Sequence, residues 1–152
     1  MEFIMKSIGV IHSPFMDKSQ TPVQSSFSHA VGQVEVYPEF AEGLQDLEGF
    51  SHIILFYVFH QAADFSLRVK PFLDDHLHGL FATRYPHRPN PIGFSLVRLL
   101  EKKASSLKIE GVDVLDGTPL LDIKPYVPEF DIVLDTRDGW YGNRTRSKGR
   151  TI

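Results

Sequence analysis

The residues best suited to chemistry lie between Phe81 and Gly93, in the run F-A-T-R-Y-P-H-R-P-N-P-I-G. Pro86, Pro89 and Pro91 fix their own φ angles and push Tyr85, Arg88 and Asn90 toward extended conformations, so part of the entropic cost of presenting those side chains is met in advance. Arg84 and Arg88 can then offer planar forks of donors to a carboxylate or a phosphate. The stretch is too punctuated for a helix and too polar for a core strand, and it reads as a built site.

Other segments carry compatible groups. Thr21-Pro22-Val23-Gln24 lies in a loop without periodicity and combines a fixed backbone with an amide able to read a heterocycle edge. His60 and Gln61 stand where a long apolar run reaches the surface. Asp113, Leu115 and Asp116 follow a change of phase at Gly111 and are candidates for a pocket wall. Asp74-Asp75-His76-Leu77-His78-Gly79 superficially resembles a metal site, but nothing sets ligand spacing on a rigid element; it reads as a solvated loop, and no metal is expected. Arg137, Arg144, Arg146, Lys148 and Arg150, with Trp140 and Tyr141 among them, suit either a solvated tail or a polyanion with stackable bases.

These groups must be positioned by a chain of 152 residues, enough for one domain with a proper core. Hydrophobic content of 42% and charged content of 23% are ordinary for a globular protein, and no apolar run approaches the length that crosses a bilayer. The N-terminus lacks a secretory pattern, and the absence of cysteine excludes disulfides, zinc ribbons and thiol catalysis. A cytoplasmic protein without membrane contact is expected. A net charge of −3 argues against a uniformly basic surface.

Ser7 to His12 reads as an opening strand. Gly32 to Tyr37 alternates as a half-buried strand, and Pro38 to Leu47 switches to helical spacing, with Gly49 as a C-terminal cap. Ile53 to Phe59 is continuous apolar sequence, expected to be a central strand buried on both faces. Phe65 to Val69 alternates, with a second short helix possible after Pro71. Pro91 to Glu101 places Ile92, Phe94 and Leu96 on one face and Gly93, Ser95 and Val97 on the other. The return strand from Leu107 slips phase at Gly111, as a β-bulge would make it, and Leu121 to Ile123 resumes pairing. Sequential strands with hairpin-length links predict a mainly β protein: a single compact antiparallel barrel-like domain with one or two short helices, over residues 1–135, followed by a basic tail at 136–152. No dinucleotide-binding, phosphate-loop, hydrolase-elbow or zincin motif is present.

The run F-A-T-R-Y-P-H-R-P-N-P-I-G-F-S-L together with V-L-D-G-T-P-L-L-D-I-K-P-Y, I-G-V-I-H-S-P-F, T-P-V-Q and L-E-G-F-S-H-I-I-L-F-Y-V-F-H-Q resembles the TsaA-like family, whose characterised branch is the TrmO tRNA methyltransferases. The resemblance implies a homodimeric β-barrel enzyme that transfers a methyl group from S-adenosyl-L-methionine to N6 of threonylcarbamoyladenosine beside the anticodon of tRNA. By that resemblance the cofactor contacts fall on Pro22, Val23, Gln24, His60, Gln61, Arg84, Phe94 or Leu96, and Asp113, Val114, Leu115 and Asp116. Arg88, Asn90, Lys124 and Tyr126 suit the modified nucleotide and its threonyl carboxylate. The proton acceptor stays open among Tyr85, Asp113, Asp116 and His60. A noncatalytic S-adenosylmethionine- or RNA-binding module, and a metal-dependent hydrolase built on Asp74 to His78, are the competing classes.

Overall fold

Alternating buried and exposed side chains recur through most of the chain, and a strand with period 2 has to hide one face. The computed structural model describes residues 1–144. Its strands are β1 Gly9–His12, β2 Val31–Val36, β3 His52–Val58, β4 Arg68–Val69, β5 His78–Gly79, β6 Ile92–Lys103, β7 Ser106–Glu110 and β8 Thr118–Pro125. Six of them close an antiparallel barrel in the order β1-β2-β7-β6-β3-β8, as the alternation predicts. The chain forms two units, residues 1–60 with 92–126 and residues 61–91 with those from 127 onward. Among the described residues no helix is long and apolar enough to cross a membrane.

The first unit is the barrel. Ile11, Val34, Ile53, Leu55, Leu107, Ile109 and Leu120 point inward and are almost wholly buried. β3 corrects the expectation of burial on both faces: Ile53, Leu55 and Tyr57 are buried, whereas Ile54, Phe56 and Val58 are only half-buried. On β6 the inward face is Gly93, Ser95 and Val97, leaving Ile92, Phe94 and Leu96 outside at 39%, 46% and 38% exposure. Ring volume explains this choice. A Cβ on Gly93 would lie 2.5 Å from Tyr57 and 2.6 Å from Phe59, so the larger side chains cannot occupy that phase.

Pro38 to Leu47 is not one α-helix. It forms a 3₁₀ helix over Pro38–Leu44 and another over Leu47–Gly49. Pro38 starts the first, as expected, but Asp46 at φ 69° breaks the run before Leu47. Gly49 lies inside the second turn and is not its cap. The slip at Gly111 has a two-against-one pattern: the amides of Gly111 and Val112 both donate to the Ala30 carbonyl, at 2.9 and 3.3 Å. Gly111 takes φ +100°, which only glycine adopts without strain.

The second unit pairs β4 with β5 and contains a four-residue helix, α1, Pro128–Asp131. The alternation from Phe65 yields only Arg68–Val69 as strand, and the region after Pro71 forms turns before a 3₁₀ turn at Leu80–Ala82. Asp75, His76, Leu77 and Gly79 are exposed, as the reading of a solvated loop expects, but Asp74 departs from it. Asp74 is buried, its Oδ2 lies 2.6 Å from His78 Nε2, and its Oδ1 accepts from Asp75 N at 2.9 Å. His78 stacks on Trp140 with ring centroids 4.5 Å apart, and Trp140 Nε1 donates to the Ala82 carbonyl at 2.7 Å. A carboxylate with several donors organises this turn. Among the described residues no group of three or more His, Asp or Glu side chains converges as metal ligands do.

Barrel closure depends on close backbone approach at Gly9, where an added Cβ would collide with the Glu35 carbonyl oxygen. Gly9→Ala is expected to cost roughly 1–3 kcal/mol or more, because the obstacle is backbone and cannot rotate away. Gly43→Ala, which meets nothing within 4 Å, should stay within about 0.5 kcal/mol of wild type in the same denaturant titration. Equal stabilities of the two variants would reject this account.

Candidate functional site

On the barrel unit, two segments far apart in sequence are tied together. The first is the loop after β1. The Asp17 carboxylate caps the turn Lys18–Gln20 by accepting from Ser19, and Thr21 Oγ1 donates to the carbonyls of Asp17 and Lys18 at 3.0 and 3.1 Å. Pro22, Val23 and Gln24 follow, all half-buried, and lead into a 3₁₀ turn at Ser25–Phe27. Ser28 Oγ then donates to the Val112 carbonyl at 2.6 Å, pinning the loop to the connection between β7 and β8.

That connection, Gly111 to Gly117, is the second segment. Ser13 Oγ donates to Val114 O at 2.5 Å, while Thr118 Oγ1 donates to Leu115 O at 2.6 Å, so its carbonyls are held on both sides. The structure thus brings Pro22, Val23 and Gln24 to the same region as Asp113, Val114, Leu115 and Asp116.

The two carboxylates of this segment serve different purposes. Asp116 Oδ1 accepts from Ser13 N at 3.1 Å and lies 3.3 Å from His12 Nδ1, whose Nε2 is 3.0 Å from Glu35. The hydrogen bond to Glu35, aided by Asp116, raises the His12 pKa. Asp116 is therefore engaged in clamping β1. Asp113 instead accepts from Ser95 Oγ at 2.5 Å and from the Ser25 amide, and Ser95 Oγ lies 2.8 Å from the Tyr57 hydroxyl. Burial pushes its pKa up to about 6, against the lowering effect of the Ser95 hydrogen bond. Among the described residues no ion pair neutralises it.

Sequence reasoning missed Tyr57, Ser95 and Ser25. The signal for Ser95 was its place in the small-residue phase of β6. Phe94, on the opposite phase, faces outward with its ring 6.4 Å from Phe56, and His60 is exposed at the end of the first unit. Lys124 pairs with Asp122 at 3.1 Å, and the Tyr126 ring meets His52 edge-on.

The remaining candidates belong to the second unit. Gln61, Arg84 and Asn90 are exposed. Arg88 Nη1 donates to the carbonyls of Thr83 and Tyr85, both at 2.9 Å, and to Leu80 at 3.4 Å, so this arginine braces the turn before the proline-rich run. Tyr85 packs between the rings of Phe72 and His87. In the basic C-terminal stretch, Arg144 sits 3.9 Å over the Tyr141 ring. Arg146, Lys148 and Arg150 lie outside the described residues.

A closed antiparallel barrel carrying a pinned loop beside a bulged connection sets this chain apart from doubly wound nucleotide-binding folds. Residues 10–132 match the tRNA-methyltransferase O N-terminal domain family, and the chain belongs to that family. It is 57% identical over 136 residues to a probable S-adenosyl-L-methionine-binding protein of Pyrococcus abyssi, covering 89% of this chain and 74% of that one. It is 36% identical to the human tRNA (adenine(37)-N6)-methyltransferase over 84% of this chain, but only 31% of the human one. The crystal structure of TrmO from Pseudomonas aeruginosa superposes with a TM-score of 0.80 at 43% identity, covering 98% of this chain and 66% of that chain.

The residues brought together here suit a cationic methyl donor: Pro22 and Val23 offer apolar surface, and Asp113 offers a half-buried negative charge without a cationic partner among the described residues. That charge has a cost in the native state. With its pKa at about 6 rather than 3.8, Asp113 holds its proton more tightly when folded, so its contribution to stability falls as pH rises from about 4 to 6. Asp113→Asn should be at least as stable as wild type at pH 7.5, gaining at most about 3 kcal/mol, with the difference shrinking toward pH 4. Thermal unfolding across that range checks this, and a less stable variant at pH 7.5 would contradict it.

Proposed function

We propose that the protein is an S-adenosyl-L-methionine-dependent tRNA methyltransferase acting in the cytoplasm on N6 of the adenosine beside the anticodon, in its threonylcarbamoyl form. Family membership supports the reaction class. The observation carrying the assignment of the site is Asp113, a half-buried carboxylate with a raised pKa beside the Pro22–Gln24 loop. When bound, S-adenosyl-L-methionine supplies an electrophilic methyl group on a positively charged sulfur.

In this reading Pro22 and Val23 hold the donor's purine ring, and Gln24 with the backbone from Asp113 to Asp116 reads its edge. His60 completes the donor contacts of the barrel unit, and the forked donors of Arg84 suit a carboxylate. Asp113 balances the positive charge and accepts the N6 proton. Its carboxylate becomes a stronger base once that positive charge is gone, because an opposite charge nearby is what lowers a carboxylate's pKa. Tyr57 and Ser95 fix its orientation. Lys124 and Tyr126 on the barrel unit suit the threonylcarbamoyl group, and in the second unit Arg88 braces the turn ahead of Asn90. Tyr85 and Asp116 are less suited to proton transfer, the first packed among rings and the second engaged with His12 and Ser13.

The homodimer uses the outer face of β3 and β6, where Ile54 pairs with Leu96, Phe56 with Phe94 and Val58 with Ile92. A stripe of this kind supports an isologous contact with a second copy. The double substitution Ile92→Lys, Leu96→Lys should give a monomer by sedimentation velocity; a wild-type chain that is itself monomeric would reject the interface.

The decisive assay incubates the protein with labelled donor and tRNA bearing threonylcarbamoyladenosine, followed by mass analysis of nucleosides. Methylation of that nucleoside is expected. Donor binding without transfer would favour a noncatalytic module, and transfer to unmodified adenosine would reject the threonylcarbamoyl specificity. Asp113→Asn should lower kcat by roughly 10²–10⁴-fold and abolish the fall in kcat/KM below about pH 6, where the free wild-type protein takes up a proton.

A further inference from the structure

The second unit contains a recess of about 360 Å³ whose lining includes Arg68, Lys70, Tyr85, His87, Asp64 and Leu77. Strand alternation explains two of its cations: Val69 is buried, so Arg68 and Lys70 on either side of it are both exposed. Neither side chain makes an ion pair or a hydrogen bond among the described residues. One acid, Asp64, stands against them in the lining.

Aromatic rings form the other side. Tyr85 lies 5.7 Å from Phe72 and 5.3 Å from His87, centroid to centroid, and Phe72 is 70% exposed. His87 Nδ1 accepts the Ala63 amide at 2.8 Å, which places the proton of the neutral ring on Nε2. The recess therefore combines two positive charges with a stackable aromatic wall. A carboxylate or inorganic phosphate would use only the charges, whereas a nucleotide unit uses both halves.

We infer that this recess is a docking site for one unpaired nucleotide of the RNA, with the phosphate held by Arg68 and Lys70 and the base stacked on Tyr85 and His87. The inference rests on the tRNA reading above and adds an RNA contact on the second unit. It also gives Tyr85 a stacking role in place of proton transfer.

Fluorescence anisotropy of the full chain with a labelled anticodon stem-loop RNA tests it, repeated at several salt concentrations between about 50 and 200 mM. Arg68→Ala with Lys70→Ala should weaken binding and reduce the magnitude of the slope of log affinity against log salt by about 1.4, as expected for two single-strand phosphate contacts. Tyr85→Leu should weaken binding by roughly 5- to 150-fold with the slope retained, and Tyr85→Phe should bind like wild type. Calorimetric binding of the methyl donor and thermal unfolding, unchanged in all three, exclude misfolding as the cause; a Tyr85→Leu chain that fails this control leaves the cation pair to decide. If wild type methylates tRNA but the double variant keeps its affinity and salt slope, the docking site is wrong and the function stands. If wild type neither binds RNA nor methylates it, both fail. Adenosine monophosphate bound as tightly as the stem-loop, and lost in the double variant, would reassign the recess to a free nucleotide and overturn the RNA assignment; binding of inorganic phosphate with equal affinity would remove the stacking half.

Discussion

Space inside the β3–β6 ladder is the constraint from which the rest of the structure follows. Tyr57 and Phe59 fill the interior so completely beside Gly93 that no side chain fits there. The inward positions of β6 must be small, and one of them is Ser95, whose hydroxyl reaches both Tyr57 and Asp113. Packing and polar chemistry thus meet at one strand. The same phase sends Ile92, Phe94 and Leu96 outward, so an apolar outer stripe is the counterpart of a polar inner contact.

Two aspartates three positions apart show how environment divides identical groups. Asp116 gains donors from Ser13 and His12 and fastens the opening strand, where a charge is stabilised by its neighbours. Asp113 has a hydroxyl and an amide but no cation among the described residues, and burial works against its ionised form. A structural carboxylate is satisfied where it stands. One left at a disadvantage is suited to binding a positive charge or taking a proton, since either event relieves it.

Much of this was legible because barrels impose period 2 on their strands. The alternation of Val34 and Val36, the apolar run of β3 and the slip at Gly111 led directly to the sheet. What alternation does not reveal is which face of β6 turns inward, because Ile92, Phe94 and Leu96 are the more apolar set and still lose to ring volume from another strand. The spacing of Phe40, Leu44 and Leu47 suggested an α-helix, but it cannot anticipate a left-handed Asp46 that divides the run. At the site, Pro22 to Gln24 and Asp113 to Asp116 stood out by composition and are tied together through Ser28 and Val112. Tyr57 and Ser95 looked like ordinary core positions. Asp74 looked solvated because a short polar segment gives no sign that its carboxylate will be buried under two histidines.

The connection between β3 and β6 has a consequence for how such a protein changes over time. Val58 and Ile92 face each other as ladder partners, so the barrel itself requires only a short link between them, and everything from residue 61 to 91 is carried as an insert between two anchored ends. With its ends already joined, lengthening an insert is inexpensive; doubling a flexible loop adds only about 0.6 kcal/mol of closure entropy. The barrel can therefore stay constant while this excursion is rewritten, because changes in its length and sequence leave the paired strands at its two ends undisturbed.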